Sequence, residues 1–405
     1  MKIRIVPLVV ATALFMENMD STILTTALPT IARDLGVDAI ALKLAVTSYL
    51  VALAVFIPIS GWVADRLGAR TTFRAALAIF MAASIGCAFS GSLGGFVVWR
   101  FVQGIGGAMM VPVGRLVIVR SIPKSELVSA LATLTIPALI GPMVGPPLGG
   151  LIVTVTDWRW IFFVNIPMGL VGIVMATLYF EDRPEPPRPL DIKGFVLTAG
   201  GLSGLILGFA MIGRHVAPTP VAVACIVAGA AALALYVRHA RRTPDPLLDL
   251  GLMRLRTFEA GVVGGTLFRV GVGASAFLVP LMLQLAFGLD ALTSGLITFA
   301  GAVGALTMKP VAGAILRRFG FRPVLVGNAI LASGVIAAVA FIGASTPHLV
   351  VSALLFASGF TRSLQFTSLL HESPALNADT PGYRYIVGVL PVFLMGWLHA
   401  AGHRG

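Results

Sequence analysis

The chain of 405 residues is far more apolar than a soluble protein of the same length. Hydrophobic residues make up 57% of it and charged residues 11%, whereas roughly a quarter of the residues in a soluble domain are charged. The net charge of +12 comes from cations spread between apolar runs, so it does not indicate a nucleic-acid-binding face. Cys87 and Cys225 lie in separate apolar runs and form no disulfide framework. This composition excludes a soluble globular enzyme and predicts an all-α polytopic membrane protein.

Twelve apolar runs, each long enough to cross a bilayer, follow one another along the chain. They fall at about 5–28, 41–64, 72–92, 95–114, 127–155, 159–180, 192–213, 219–237, 258–287, 293–316, 323–343 and 347–370, and a run at 385–402 would make thirteen. With a cytoplasmic N-terminus, the inner loops hold nineteen Lys and Arg residues and the outer loops four. This positive-inside bias predicts a retained first span that starts in the cytoplasm.

Two segments recur at offsets of 252 and 262 residues. Gly61–Arg70 (G-W-V-A-D-R-L-G-A-R) matches Gly313–Arg322 (G-A-I-L-R-R-F-G-F-R), and Arg100-x-x-Gln103 is echoed by Arg362-x-x-Gln365. Such repeats are typical of secondary transporters, with the substrate site between the repeats near the midplane. We therefore predict two pseudo-symmetric helical bundles with an inserted helix pair. The predicted parts are a six-helix bundle at 1–180, the insert at 181–256, an incomplete second bundle at 257–370 and an atypical tail at 371–405.

The composition changes abruptly after residue 370, and no counterpart of the fifth and sixth spans follows in the second repeat. A shifted reading frame or an early stop would leave this pattern. Two hypotheses stay open: a working transporter, or a truncated membrane protein that inserts without transporting.

Several charged residues interrupt the apolar runs. Each costs about 2.5–3.5 kcal/mol at mid-bilayer and is therefore a candidate functional residue. Glu17 and Asp20 are three residues apart in the first span and share a helix face. We predict that Asp20, with Glu17 second, is the proton-responsive carboxylate and that Arg100 modulates it; the alternative is a static ion pair. The predicted substrate cavity consists of Asn18, Gln103, Arg269, Gln284 and Arg362.

The segment Gly61–Arg70 predicts a tight turn on the cytoplasmic side. Gly61 and Gly68 allow close backbone approach, and Asp65 can accept from a helix N-terminus or an arginine. With Arg66 and Arg70 facing the inner surface, the cluster suits gating; the alternative is that its charges only set topology.

The fifth span contains G-P-M-V-G-P-P-L-G-G. Proline kinks a helix, and small residues let a neighbouring helix approach closely. We predict a packing helix whose motif residues are Gly141, Pro142, Gly145, Pro146, Gly149 and Gly150.

Taken together, these motifs resemble the fourteen-span drug:proton antiporter family of the major facilitator superfamily. The matching segments are Gly61–Arg70, Trp99–Gly107 (W-R-F-V-Q-G-I-G-G), Gly145–Gly150, Met19–Pro29, Trp158–Gly169 (W-R-W-I-F-F-V-N-I-P-M-G) and Asp245–Leu250. The resemblance implies proton-driven efflux of amphipathic compounds, coupled at Asp20 and Arg100 and gated around Asp65. It associates the motif of the fifth span with antiporters and places the protein in a bacterial inner membrane.

The resemblance also implies the partners: a small-molecule substrate, protons and the lipid bilayer, with no nucleic acid. The proton gradient would supply the energy, no cofactor is expected, and no periplasmic adaptor is indicated. Since Arg269, Lys309 and Arg362 make the second half basic, anionic and neutral amphiphiles stay open as substrates. The sequence has no G-x-x-x-x-G-K-[ST] phosphate loop and no H-E-x-x-H motif, so we expect neither ATP-driven export, nor a metal site, nor an enzyme.

Overall fold

The computed structural model describes residues 2–371 except 39–40, 124–125, 128–129, 131–132, 183–188, 213–217, 252–277, 280–281, 290 and 344. Within these residues the chain is helical and no β-strand occurs. The helices are α1 (Lys2–Asp34), α2 (Lys43–Leu67), α3 (Ala69–Ala88), α4 (Leu93–Ser121), α5 (Thr135–Val155), α6 (Trp160–Phe163), α7 (Asn165–Tyr179), α8 (Ile192–Met211), α9 (Thr219–Ala240), α10 (Ala291–Phe319), α11 (Phe321–Val339) and α12 (His348–His371). A π-helical turn, Met282–Ala286, precedes α10.

Seven helical segments of the described chain are long and apolar enough to cross a bilayer. They are α2, α3, α4, α6 with α7 (Trp160–Tyr179), α8, α9 and most of α10 (Thr293–Phe319). The all-helical, polytopic membrane architecture expected from composition is confirmed. Most of the predicted span at 258–287, and the whole run at 385–402, lie outside the described residues.

Several helix ends differ from the predicted spans. Helix α1 runs from Lys2 to Asp34, several residues beyond the predicted 5–28 at either end. An apolar run marks only the part of a helix that is covered by the bilayer or by the protein interior. The backbone hydrogen bonds of the helix continue into the polar residues on either side. The predicted span at 159–180 is interrupted at Val164 between α6 and α7.

The two copies of the repeated segment form the same turn. Gly68 (φ 86°) alone separates α2 from α3, and Gly320 (φ 78°) alone separates α10 from α11. This left-handed backbone is accessible to glycine at little cost. The predicted tight turn is therefore present at equivalent places, 252 residues apart.

The first half is built around α1, α3 and α4. Helix α1 packs against α4, α5 and α7, while α3 packs against α4 and α7, and α2 packs on α4. Helices α8 and α9 pair with each other, and α8 also lies against α2. In the second half, α12 packs on both α10 and α11, and α10 also touches α5.

Candidate functional site

A polar layer separates two apolar clusters inside the first half. One cluster includes Met16 of α1 and Phe80 of α3, and the other includes Ile23 of α1 and Cys87 of α3. Asp20 lies between the two clusters on α1. The polar members of the layer are Asp20 on α1, Ser84 on α3, Arg100 and Gln103 on α4, and Asn165 on α7, each at most 1% exposed. Four helices therefore bring their buried polar side chains to one depth.

The centre of the layer is an ion pair predicted from the sequence. Arg100 Nη1 donates to Asp20 Oδ2 at 2.7 Å and also contacts Gln103 Oε1. Gln103 Nε2 donates to the other carboxylate oxygen, Asp20 Oδ1, at 3.0 Å. Asp20 and Arg100 thus neutralise each other where neither could remain charged alone without a large cost. The structure places Gln103 in this network.

Two further members, Ser84 and Asn165, were not among the predicted site residues. Asn165 Nδ2 donates to Asp20 Oδ1 at 2.8 Å and to Ser84 Oγ at 3.2 Å. Gln103 Nε2 also donates to Ser84 Oγ, at 2.8 Å. Asn165 lies inside the W-R-W-I-F-F-V-N-I-P-M-G segment, which is the only sequence signal that pointed towards it. Ser84 gave no such signal.

Tyr49 of α2 connects the layer to the second predicted carboxylate. The Arg100 guanidinium lies 4.6 Å from the centre of the Tyr49 ring, a cation–π contact. The Tyr49 hydroxyl points to Glu17 Oε1 at 3.5 Å. Glu17 therefore does not touch Arg100, although both contact the same tyrosine. The shared helix face of Glu17 and Asp20 is confirmed, but they have different partners.

Asn18, a predicted cavity residue, lies on α1 beside the layer. Its Nδ2 donates to Leu14 O at 2.7 Å, within its own helix. The structure does not bring it into contact with Arg100 or Asp20. Among the described residues, no group of His, Cys, Asp and Glu could hold a metal ion.

The glycines of α5 pack against the helix that carries Asp20. A Cβ at Gly141 would lie 2.9 Å from Phe15 O, one at Gly145 would overlap Thr22, and one at Gly149 would lie 2.9 Å from Ile23 O. These glycines recur every four residues and form one face. A Cβ at Gly150 would meet nothing within 4 Å. Pro142 and Pro146 lie within the helix.

Gly145→Ala should therefore destabilise the protein, and Gly150→Ala should not. The added methyl at residue 145 forces α1 and α5 apart, and overpacking of this kind costs about 1–3 kcal/mol. The unfolding midpoint of the purified protein measures the difference. Equal midpoints for the two variants would contradict the close α1–α5 contact.

The predicted gating residues do not form one cluster but take part in separate contacts. Asp65 near the end of α2 pairs with Arg120 near the end of α4, at 2.5 Å. Of the two partners considered for Asp65, the arginine is the one it has. Arg66 lies over the Trp62 ring at 5.4 Å, and Gly61 lies on α2.

The N-terminus of α3 is occupied by a distant carboxylate, Asp182. Its Oδ1 accepts from Arg70 N at 3.0 Å and Thr71 N at 3.3 Å, and its Oδ2 accepts from Thr71 Oγ1 at 2.7 Å. The Arg70 side chain adds an ion pair at 3.4 Å. Asp182 fits against Gly68, where any side chain would collide with it. The turn therefore ties α2 and α3 to the segment that follows α7.

Gly68→Ala should lower stability more than Gly36→Ala does. Both glycines have positive φ, 86° and 64°, and alanine in that region costs roughly 1–2 kcal/mol. Only at Gly68 does the new methyl also displace Asp182, since a Cβ at Gly36 meets nothing within 4 Å. Unfolding midpoints of both variants give the comparison, and a smaller loss at Gly68 would contradict the contact.

The contact at Asp182 should weaken in acid. Burial by itself would raise the pKa of Asp182, but hydrogen bonds from Thr71 and Arg70 hold that pKa below its ordinary value of 3.8. The stabilisation is therefore complete well above the ordinary pKa and is lost as pH falls through the lowered one. We expect Asp182→Asn to lower the unfolding midpoint near neutral pH, and the difference from wild type to shrink below pH of about 4. A difference that grows in acid would contradict this sign.

Of the three predicted cavity residues in the second half, two lie among the described residues. Arg269 lies outside the described residues, and Gln284 belongs to the π-helical turn. Arg362 is partly buried on α12. Gln365, the glutamine of the repeated Arg362-x-x-Gln365 segment, accepts a hydrogen bond through Oε1 from Asn328 Nδ2 of α11 at 2.8 Å. The same nitrogen donates to Thr361 O at 2.9 Å.

An all-helical membrane protein with two repeated turns and a charge-balanced carboxylate layer has the features of a secondary transporter. The chain belongs to the Major Facilitator Superfamily, whose sequence profile matches residues 10–378. It is a transporter and not an enzyme. Its predicted family resemblance is thereby confirmed at the level of the superfamily.

Similar proteins agree with this assignment. A protein from a strain of Escherichia coli that bears the name multidrug resistance protein MdtD is 37% identical over 366 residues, covering 89% of this chain and 77% of the relative. Its counterpart from Citrobacter koseri is 36% identical over 365 residues, with the same shares. Among solved structures, the human organic anion transporter MFSD10 has a TM-score of 0.65 at 17% identity over 99% of this chain and 92% of its own. The xylose transporter XylE from E. coli has a TM-score of 0.64 at 15% identity over 98% and 90%.

Proposed function

We propose that the protein exports small amphipathic compounds in exchange for protons, by alternating access. The observation that carries this proposal is the buried Asp20 carboxylate, which accepts hydrogen bonds from α4 and α7 and is balanced by Arg100. Relatives named for multidrug resistance support the direction and the substrate type. The proposal places the protein in a bacterial inner membrane with its N-terminus in the cytoplasm.

Protonation of Asp20 would release the layer. A neutral carboxyl no longer balances Arg100, so the hydrogen bonds that join α1 to α4 and α7 lose their strongest member. Asn165 Oδ1 is buried without a hydrogen-bond partner in the described part of the chain. A protonated Asp20 could donate to that oxygen after the amide rotates, which gives the layer a second satisfied arrangement.

The far ends of the same helices offer a gate. The Asp65–Arg120 pair joins α2 to α4 at the predicted cytoplasmic end, and Asp182 joins the α2–α3 turn to the segment after α7. We propose that both contacts hold this end of the first bundle together and that one of them breaks when the cytoplasmic side opens.

The energetics of a single proton are sufficient for useful export. One pH unit is worth about 1.4 kcal/mol per proton, which supports about a tenfold substrate gradient for each proton exchanged. At a pH difference of one unit, a transporter that moves one proton per substrate can therefore hold the drug concentration in the cytoplasm about tenfold below the concentration outside.

Dye accumulation tests the proposal. Cells that lack their other efflux pumps are loaded with a fluorescent amphipathic dye, with and without the protein, and then treated with a protonophore. We expect lower accumulation with the protein and loss of that difference when the proton gradient collapses. Export that survives the protonophore would contradict proton coupling, and absence of export would favour the transport-inactive alternative.

A further inference from the structure

The second half of the transporter is almost free of acidic residues. Between residues 291 and 371 the sequence has no Asp or Glu, but five cations: Lys309, Arg317, Arg318, Arg322 and Arg362. In the first half, by contrast, Glu17 and Asp20 accompany the cations inside the spans. The two halves that face each other across a superfamily transporter therefore differ in charge.

Three of these cations have a topological explanation. Arg317, Arg318 and Arg322 flank the turn at Gly320, which is the repeat of the predicted cytoplasmic turn at Gly68, and inner loops are rich in arginine. Lys309 and Arg362 are different, because they lie well inside α10 and α12. Cations at such positions usually belong to a substrate or ion pathway.

Lys309 and Arg362 lie at a similar height on neighbouring helices. The two helices contact each other closely, since a Cβ at Gly301 would lie 3.2 Å from Leu355 O and one at Gly304 would overlap Phe356. Further along both helices, Met308 and Leu364 belong to the same apolar cluster. The helices therefore run in the same direction, with Lys309 next to Met308 in the sequence of α10 and Arg362 two residues before Leu364 in α12.

Arg362 differs from its repeat counterpart in having no counter-ion among the residues that the structure describes. Arg100 is balanced by Asp20 at 2.7 Å, whereas the partly buried Arg362 forms no ion pair with another described residue. Gln365, which corresponds to Gln103, is engaged with Asn328. The same R-x-x-Q pattern therefore binds a carboxylate in the first half, whereas in the second half its arginine has no acidic partner among the described residues.

We propose that Arg362 binds the anionic group of an amphipathic substrate, with Lys309 adding positive potential at the same depth. A carboxylate, sulfonate or phosphate would provide the acceptors that the guanidinium fork favours, and the apolar part of the molecule would lie along α10 and α12. This inference rests on the proposed export function and names its substrate class. Anion export against proton entry moves positive charge inwards in both half-reactions, so an inside-negative membrane potential drives it together with the pH gradient.

A matched pair of fluorescent probes tests the site without any transport. Anilinonaphthalene sulfonate and N-phenylnaphthylamine share one ring system, and only the first carries an anion. Both are titrated onto the full chain in nanodiscs of zwitterionic lipid, with empty nanodiscs subtracted. The variants are Arg362→Gln, Arg362→Lys and, as a control cation outside the site, Arg318→Gln.

We expect Arg362→Gln to weaken binding of the sulfonate about tenfold or more, the loss of one charge-assisted hydrogen bond, and to leave the neutral probe unchanged. Arg362→Lys should retain part of the affinity, and Arg318→Gln should retain all of it. Unfolding midpoints show whether each variant is folded. Unchanged sulfonate binding in folded Arg362→Gln, or an equal loss for both probes, would overturn the site.

The binding test and the export test fail separately. Sulfonate binding that depends on Arg362, in a protein that exports no dye, would retain the anion site and contradict the export function. Proton-driven export with sulfonate binding independent of Arg362 would retain the function and overturn the proposed substrate class.

Discussion

Asp20→Asn should abolish proton-driven export while the protein still inserts into the membrane. Asparagine has nearly the shape of the carboxyl group and keeps an acceptor for Arg100, but it cannot take up or release a proton. Residue 20 of the variant is therefore always neutral, as Asp20 is in the protonated wild-type protein. We expect the dye accumulation of cells with Asp20→Asn to match that of cells without the protein.

Glu17→Gln is the matched comparison for this experiment. It removes the other carboxylate of the predicted first span, which contacts Tyr49 and not Arg100, so we expect it to reduce export without abolishing its dependence on the proton gradient. Membrane fractions and unfolding midpoints confirm that both variants are inserted and folded. Wild-type coupling in Asp20→Asn would refute the assigned role, and loss of coupling in Glu17→Gln alone would transfer that role to Glu17.

Charges inside apolar sequence are what made the centre of the site predictable. Asp20 and Arg100 stand out because the bilayer penalises them, and their pairing across 80 residues is confirmed at 2.7 Å. Ser84 and Tyr49 carry no such signal, since neutral polar residues are common in membrane helices. The shorter of these side chains can form hydrogen bonds to backbone carbonyls of their own helix. Ser84 does so as well, donating to Phe80 O at 2.9 Å. Only the packing of α3 against α4 and α7 shows that it also receives two donors.

The turn at Gly68 shows a second limit of reasoning from sequence. The tight turn was predictable from its glycine and its repeat. The carboxylate at the start of α3 was not, because Asp182 is more than 110 residues away from its partners. Local spacing suggested Asp65 for that place, whereas Asp65 pairs with Arg120, 55 residues later on a neighbouring helix. Contacts between distant segments depend on helix packing, which hydropathy and motif spacing do not describe.

Arg100→Leu should strongly destabilise the protein. It removes the cation that pairs with Asp20 in the described part of the chain and leaves a charged carboxylate at 1% exposure. Breaking a buried pair from one side costs about 3–5 kcal/mol. The cation–π contact with Tyr49 at 4.6 Å is lost as well. We expect a large fall in the unfolding midpoint of the purified protein.

The double variant Asp20→Asn with Arg100→Leu separates the charge from the packing. Once residue 20 is neutral, no uncompensated charge remains, and Gln103 and Asn165 can still hydrogen-bond the new amide. Because well-packed neutral replacements of a buried pair are often tolerated, the double variant should be more stable than Arg100→Leu alone, although export stays absent. Such a result would mean that the ion pair is retained for coupling and not for stability. A double variant no more stable than Arg100→Leu would show instead that the arginine acts mainly through its packing on Tyr49, and the layer would then be a structural element of the bundle.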